Sequence, residues 1–494
     1  MSKQQRDQRK KRKKEESRKE SLAKARAMLP QTSSRDNAFV DGIMELMEHK
    51  RYEEAKDRLL PYVVKKPKLS GPLGLLVVVC QETGDLATMF WAADRLINTP
   101  PNETEDYVLY FNSCAECKLP FTTAHAAQIA LPLSHKIGVA DEFEQNLALL
   151  PQQLAEIREQ AVLDSPELGQ SLSDDELWEL ARLQEQATLY FRCGKYDWTV
   201  QMCDRIIRRF PKSPTPYALK AYAAMTFRGP AQADPVFQQA LAVHPNSAFL
   251  LCYRIHQLAM LSRLNEIDEY LERLDRIPLA KTYKPLDIAF TKMQTLVWIK
   301  RYDASLELYR NAAEILGDLW DITENTRCAG IAHLAAVVLA KRGEPFLDVL
   351  REANACSNAD EIVRENYADA IKPSLEQNGP WFFYPTAYIP ERLNDMFDPL
   401  FDNLPSEKEI PERELNAWIR KQAKPICREA LRRWPHLPTM LVEMIQNGSI
   451  VARNWAGMFI GVCDSREFIE AVREFINGTD GTVKLRREFQ NALI

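Results

Sequence analysis

Prolines recur 34 residues apart in this chain, Pro67 and Pro101 in one place and Pro211 and Pro245 in another. The residues before them recur at fixed offsets. Leu183, Ala187, Tyr190, Gly194, Tyr196, Thr199, Cys203 and Ile206 precede Pro211 by 28, 24, 21, 17, 15, 12, 8 and 5 positions. Tyr217, Ala221, Ala224, Ala233, Phe237 and Ala240 precede Pro245 by 28, 24, 21, 12, 8 and 5. Each period reads as a pair of helices closed by a proline. Small residues recur where the two helices must approach closely, and larger apolar ones where they pack.

Weaker copies extend the pattern. Phe39, Ile43, Leu46, Tyr52, Ala55, Leu59 and Tyr62 lead to Pro67, and Leu73, Val77, Cys80, Gly84, Leu86, Met89, Ala93 and Ile97 lead to Pro101. A third copy keeps Tyr107, Phe111 and Cys114 and has Pro120 at the start of its second helix, where a missing N–H costs little. Two later copies use Leu251, Ile255, Leu258, Leu264, Ile267 and Leu271, then Ala289, Met293, Leu296, Tyr302, Ser305, Tyr309 and Ala312. Together they resemble the tetratricopeptide repeat, whose signature spaces an aromatic, a small residue, a Tyr, an Ala, a Phe and a Pro in this way. The resemblance implies an all-α, right-handed α-solenoid of helix pairs. It also implies a non-enzymatic scaffold or adaptor that binds a partner peptide or helix in its groove.

The expected order is a disordered basic tail (1–33), about three repeats (36–137), a helical linker with an acidic loop (138–179), about four repeats (180–319) and a C-terminal helical region (320–494). In the linker, Pro151 predicts either two short helices or one kinked helix, and Ser173-Asp174-Asp175-Glu176 is a capping-box start. Beyond residue 320 the 34-residue phase fades. Ile331 to Ala340 is apolar almost all round and predicts a buried helix around a core His333. Helices are expected over 412–433, interrupted at Pro425, and over 437–446, 451–463 and 465–476. Asn447-Gly448 and Asn477-Gly478 read as left-handed stops. Such a run suits a helical-repeat-like module covering the last apolar face. The segment 380–390, with Trp381, Phe382, Phe383, Tyr384 and Tyr388 between prolines, is either a buried plug or an exposed partner-binding patch. The plug is favoured, because large exposed aromatic patches are uncommon.

Composition narrows the classes of function. At 494 residues the chain exceeds one compact core, and its 17 glycines and scarce alternating runs argue against a large sheet. No apolar run approaches the ~20 residues needed to span a bilayer. The charged N-terminus lacks an apolar signal core, so a cytoplasmic location is expected, or a nuclear one in a eukaryote. The first 27 residues hold twelve Lys and Arg against four acids, a net of +8. The whole chain is −5, so residues 28–494 carry −13. Arg9, Lys10, Lys11, Arg12, Lys13 and Lys14 are the candidate contacts with an anionic surface: RNA, DNA or the ribosome. The plainer alternative is a solvated tail. No aromatic is interleaved with these charges, which speaks against base-specific recognition.

The chain contains no P-loop, G-x-G-x-x-G, H-E-x-x-H or G-x-S-x-G, and no cofactor or metal is expected. Cys114 and Cys117 have the spacing of a metal or redox pair, but Cys114 falls on a core position of the repeat, so both read as buried thiols. A second class of function remains: an enzyme built in the C-terminal region, which predicts a deep pocket with converging polar groups around 380–460.

In the repeat family the groove is lined by defined positions of each first helix. Carried over, these are Gln184, Thr188, Phe191 and Arg192, then Tyr222, Met225 and Thr226, then His256, Ala259 and Met260, then Phe290, Gln294, Val297 and Trp298. The set is mainly aromatic, apolar and neutral-polar. Lys, Arg and Asn, the residues with which family members clamp acidic chaperone tails, are nearly absent. An amphipathic helix or extended apolar segment anchored by Tyr222 and Trp298 is the expected partner.

Overall fold

The computed structural model describes residues 34–134, 140–164, 166–261, 263–279, 282, 284–373, 376–377, 379, 396–405, 411–435, 437–448 and 450–493. The basic stretch Arg9 to Lys14 and the aromatic segment 380–390 lie outside them. Every regular element among the described residues is helical, and consecutive helices pack as pairs in an α-solenoid arrangement. By internal contacts the chain forms two compact units, Met1–Glu159 with Ser171–Ile206, and Gln160–Gln170 with Ile207–Ile494.

Unit 1 opens with three pairs: α1 (Ser34–Glu48) and α2 (Tyr52–Lys65), α3 (Ser70–Thr83) and α4 (Leu86–Ile97), α5 (Thr104–Glu116) and α6 (Pro120–Ser134). The repeat is visible in the backbone. Lys50, Gly84 and Lys118 stand 34 residues apart, one in each turn between paired helices, with φ of 59°, 73° and 56°. Only the middle copy places a glycine where L side chains are disfavoured. Asp85 then caps α4, accepting from Thr88 N and Oγ1 at 3.1 and 2.9 Å.

The segment expected as a linker is helical; up to Glu159 it joins unit 1, and Gln160–Gln170 belongs to unit 2. It forms α7 (Ala140–Ala148), α8 (Leu150–Asp164) and α9 (Pro166–Ser171). The break falls at Leu149, and Pro151 sits in the first turn of α8, where its lost N–H is tolerated. Phe143 of α7 is 1% exposed and meets Phe111 edge-on, centroids 4.6 Å apart. Next come α10 (Asp174–Arg192), opened by the expected capping box of Ser173 and Glu176, and α11 (Tyr196–Arg209).

This pair packs back on earlier helices of unit 1. Trp91 of α4 stacks on Trp198 of α11 with centroids 5.5 Å apart, and Tyr190 meets Trp198 edge-on. Lys195 reaches Asp85 at 3.5 Å. The Glu185 carboxylate accepts from Phe121 N, Thr122 N and Thr122 Oγ1, all at 3.0 Å, and so caps the start of α6. Trp178 Nε1 donates to Phe121 O at 3.0 Å.

Unit 2 continues with α12 (Pro214–Arg228) and α13 (Pro230–Val243), α14 (Ala248–Met260) and α15 (Ile267–Asp275), α16 (Pro285–Trp298) and α17 (Tyr302–Arg310), and the short α18 (Ala312–Leu316). Then follow α19 (Thr326–Lys341), α20 (Leu347–Asn354), α21 (Glu361–Ala370), α22 (Asp398–Asp402), α23 (Glu412–Arg433), α24 (Leu437–Asn447), α25 (Ile450–Gly457), α26 (Arg466–Asn477) and α27 (Val483–Leu493). The first helices pack on one another in series, α12 on α14, α14 on α16 and α16 on α19. No comparable packing joins α13, α15 and α17. The first helices therefore form a continuous face. Helix α19 is buried along its middle, and His333, 1% exposed, is hydrogen-bonded through Nε2 to Asn366 Nδ2 at 2.6 Å.

Three local expectations in the C-terminal region are corrected. Helix α23 runs unbroken through Pro425, which lies on its exposed side. Gly478 has φ −84° and Gly448 has no positive φ, so neither is a left-handed stop. Gly448 is required by space instead: a Cβ there would lie 2.4 Å from Met444 O and 2.8 Å from Ala452 Cβ. The helix expected over 451–463 ends at Gly457 in a series of turns. No helix among the described residues is long and apolar enough to cross a membrane.

Glu185 gives unit 1 a measurable pH signature. Burial raises its carboxyl to about 7, and its three hydrogen bonds and Arg182 only partly offset this. A carboxyl raised on folding contributes stability that is full below its ordinary value of 4.5 and fades as pH rises through about 7. His125 acts oppositely. Burial and then Arg182 lower it to about 4, so its contribution is present above 6.5 and lost as pH falls. Comparison with Glu185→Gln isolates the first effect. The stability of the wild type relative to the variant should fall by up to about 3 kcal/mol between pH 4 and 8. Urea unfolding followed by tryptophan fluorescence measures it, and a difference independent of pH refutes the assignment.

Candidate functional site

The first-helix face of unit 2 is built from aromatic side chains at helical spacing. On α14, Phe249, Tyr253 and His256 stand at i, i+4 and i+7. Tyr253 stacks on Tyr222 of α12 with centroids 4.5 Å apart and planes at 19°, and Phe249 follows at 6.1 Å. Burial raises both tyrosine hydroxyls above their ordinary range. Asp287 of α16 and Arg327 of α19 both act electrostatically on Tyr253. Arg327 Nε donates to Asp287 Oδ1 at 2.7 Å, and its guanidinium lies 5.1 Å from the centre of the Phe290 ring. Phe290 fits closely over α19, since a Cβ on Gly330 would come within 2.6 Å of its Cε2. Four first helices packed in series thus contribute to one face: Tyr222 from α12, Tyr253 from α14, Asp287 from α16 with Gln294 two turns further along, and Arg327 from α19.

The residues expected to line the groove divide by burial. In unit 1, Thr188 and Arg192 of α10 are exposed, while Gln184 and Phe191 are half-buried. In unit 2, Tyr222 and Gln294 are half-buried on the face. Met225 (0% exposed), His256 (4%), Phe290 (8%) and Trp298 (6%) belong to the core, as do Thr226, Met260 and Val297, whereas Ala259 is half-buried. His256 Nε2 pairs with Thr295 Oγ1 at 2.7 Å, and burial lowers its pKa to about 3, so it is neutral at physiological pH. Trp298, expected as an anchor, packs against His256 at 5.1 Å, and its side chain is hydrogen-bonded to Glu443 of α24. It is a core residue here. Tyr253, Asp287 and Arg327 are members of the face that the repeat positions did not single out. The aromatic spacing on α14 was the signal available for the first of them.

A cavity of about 400 Å³ is lined by Lys300, Tyr302, Lys341, Ile445, Gln446, Asn447, Ala471, Glu474, Phe475, Gly478, Thr479 and Asp480. Lys341 Nζ donates to Asn447 Oδ1 at 3.3 Å, and Asn447 Nδ2 donates to Glu443 Oε2 at 2.9 Å. Behind it, Arg453 is fully buried. Its Nε donates to Ile445 O at 3.2 Å, Nη2 lies 3.7 Å from Asp480 Oδ2, and burial lowers its pKa to about 10. No His or Cys lines the cavity. Cys114 and Cys117 are both buried, and among the described residues no group of three His, Cys, Asp or Glu is placed to hold a metal.

No protein-family model matches the sequence, and no curated protein matches it. Among solved structures, the crystal structure of the yeast Tom70 matches at 10% identity over 92% of this chain and 95% of that chain, with a TM-score of 0.26.

The position of Trp298 predicts that it acts on stability. Trp298→Phe keeps the ring packing on His256 but removes the N–H that serves the buried Glu443. It should destabilise unit 2 by about 1–3 kcal/mol, read as a lowered denaturation midpoint. An unchanged midpoint would return Trp298 to the candidate anchors.

Proposed function

We propose that this chain is a non-enzymatic scaffold of the tetratricopeptide kind, holding a protein partner against the first-helix face of unit 2. The observation that carries this reading is the unbroken series Tyr222, Tyr253, Gln294 and Arg327. It is contributed by helices that touch in series and presents half-buried Tyr222, Tyr253 and Gln294 beside the exposed Arg327. Side chains of this kind anchor partners well, because an aromatic ring brings large apolar area with few rotatable bonds. The partner that fits is an amphipathic helix or extended segment with apolar anchors at helical or alternate spacing. Gln184, Thr188, Phe191 and Arg192 offer a second stretch of the same kind on α10. The basic residues Arg9 to Lys14 serve as an accessory contact with an anionic surface.

A photocrosslinker at Gln294 of the full chain tests this. It should trap a discrete protein adduct in cells, resistant to nuclease and retained after deletion of residues 1–33. Tyr222→Ser should reduce the adduct severalfold. Disappearance of the adduct on nuclease treatment or tail deletion would instead place the function in nucleic-acid tethering.

A further inference from the structure

Helix α23 has two faces of opposite character. Ala423, Cys427 and Ala430, at i, i+4 and i+7, are each 0% exposed and seat the helix on its neighbours. Arg420 fastens it further, donating through Nη1 to Glu488 O of α27 at 3.1 Å. On the opposite side, Lys421, Lys424, Arg428 and Arg432 follow at i, i+3, i+7 and i+11, and all are exposed. At 1.5 Å of rise per residue the stripe is about 17 Å long and confined to a quarter of the helix circumference.

The charges in this stripe are poorly compensated from within the protein. Arg432 shares Glu429 with Arg433. Lys421, Lys424 and Arg428 make no side-chain hydrogen bond or ion pair among the described residues. Glu414, two turns upstream, is the acid nearest to this face in the helical register. Several other exposed arginines of unit 2 are paired, Arg301 with Asp268, Arg327 with Asp287, Arg342 with Asp303, Arg351 with Asp348 and Arg466 with Glu470, whereas Arg208, Arg310, Arg473 and Arg487 have no ion pair among the described residues. Like charges one turn apart repel and destabilise a helix. A chain that carries −13 outside its first 27 residues has no need of them for solubility.

We propose that this stripe is a docking surface for a nucleic-acid phosphate backbone, bound without base specificity and independently of the groove on the first-helix face. A polyanion matches a row of three unpaired cations, Lys421, Lys424 and Arg428, continued by Arg432 on one helix face. No exposed large apolar side chain occurs on α23, so the stripe lacks the wedge that an amphipathic membrane-binding helix inserts. The one aromatic of α23, Trp418, is half-buried a turn before Lys421, so the exposed groups of the stripe are cationic and phosphate is the group they read.

The test is fluorescence anisotropy of the full chain with a single-stranded RNA and with a duplex DNA, over a range of salt. The triple variant Lys421→Gln, Lys424→Gln, Arg428→Gln should lower the slope of log affinity against log salt by about two for the single strand. It should do so also when Arg9 to Lys14 are replaced by glutamine, which separates α23 from the tail. Because all three positions are exposed, circular dichroism should be unchanged. An unchanged slope, no binding at low salt, or equal binding to polyglutamate or to anionic vesicles would overturn the proposal.

Discussion

Close approach between helices is the constraint on which the rest of this structure depends. Ala187, Ala221, Ala224, Ala233 and Ala240, the small residues of the two clearest repeats, are each no more than 2% exposed. A larger side chain at any of them would force helices apart or into strained rotamers, since interiors of this density have no spare volume. Once two helices of a pair are held this closely, their outer faces remain apolar and must be covered by the next pair. Buried residues in unit 1 consequently run without interruption from Val40 of α1 to Tyr190 of α10. Stability in such an array is shared between neighbours.

An array built this way has an end problem, and unit 1 meets it with polar ties. Helices α10 and α11 lie on α4 and α6, and the contacts that fix their register are charged or directional: Glu185 on the start of α6, Trp178 on Phe121 O, Lys195 on Asp85. Burial pushes the Asp85 carboxyl upward, but Lys195 and the Thr88 hydrogen bonds outweigh it, and the net shift is below the ordinary value. These ties specify which pair docks where, while the apolar contacts supply most of the free energy. Ridges of alanine and leucine alone would accept several registers.

Much of this was legible in the sequence because it is local. The 34-residue period, the start of α6 at Pro120 and the capping box of α10 each depend on residues within one helix pair. Groove membership was legible only in part. The helical position of Trp298 is the same whether or not another helix covers it, and the covering residue, Glu443, lies far along the chain. The stop at Gly448 failed for a related reason. An Asn-Gly pair reads as a left-handed cap, yet here glycine is demanded by the approach of Met444 O and Ala452, a contact with no sequence signature. The return of α10 onto α4 was equally invisible, since nothing in a repeat pattern says that a later pair will pack on an earlier one.

The cavity lined by Lys300 and Lys341 shows how such distant packing also creates chemistry-like constellations. Its lining is drawn from the ends of four helices: Lys300 just beyond α16, Lys341 closing α19, Asn447 closing α24 and Gly478 following α26. Each helix C-terminus leaves carbonyls without intrahelical partners and carries a partial negative charge. A cation near each end is the expected response, and Arg453 supplies its Nε to one such carbonyl, that of Ile445. Lys341 remains there although burial lowers its pKa. Lysines and carboxylates converge in this lining because helix ends meet there. Lys421, Lys424 and Arg428 of α23, by contrast, meet no carboxylate among the described residues.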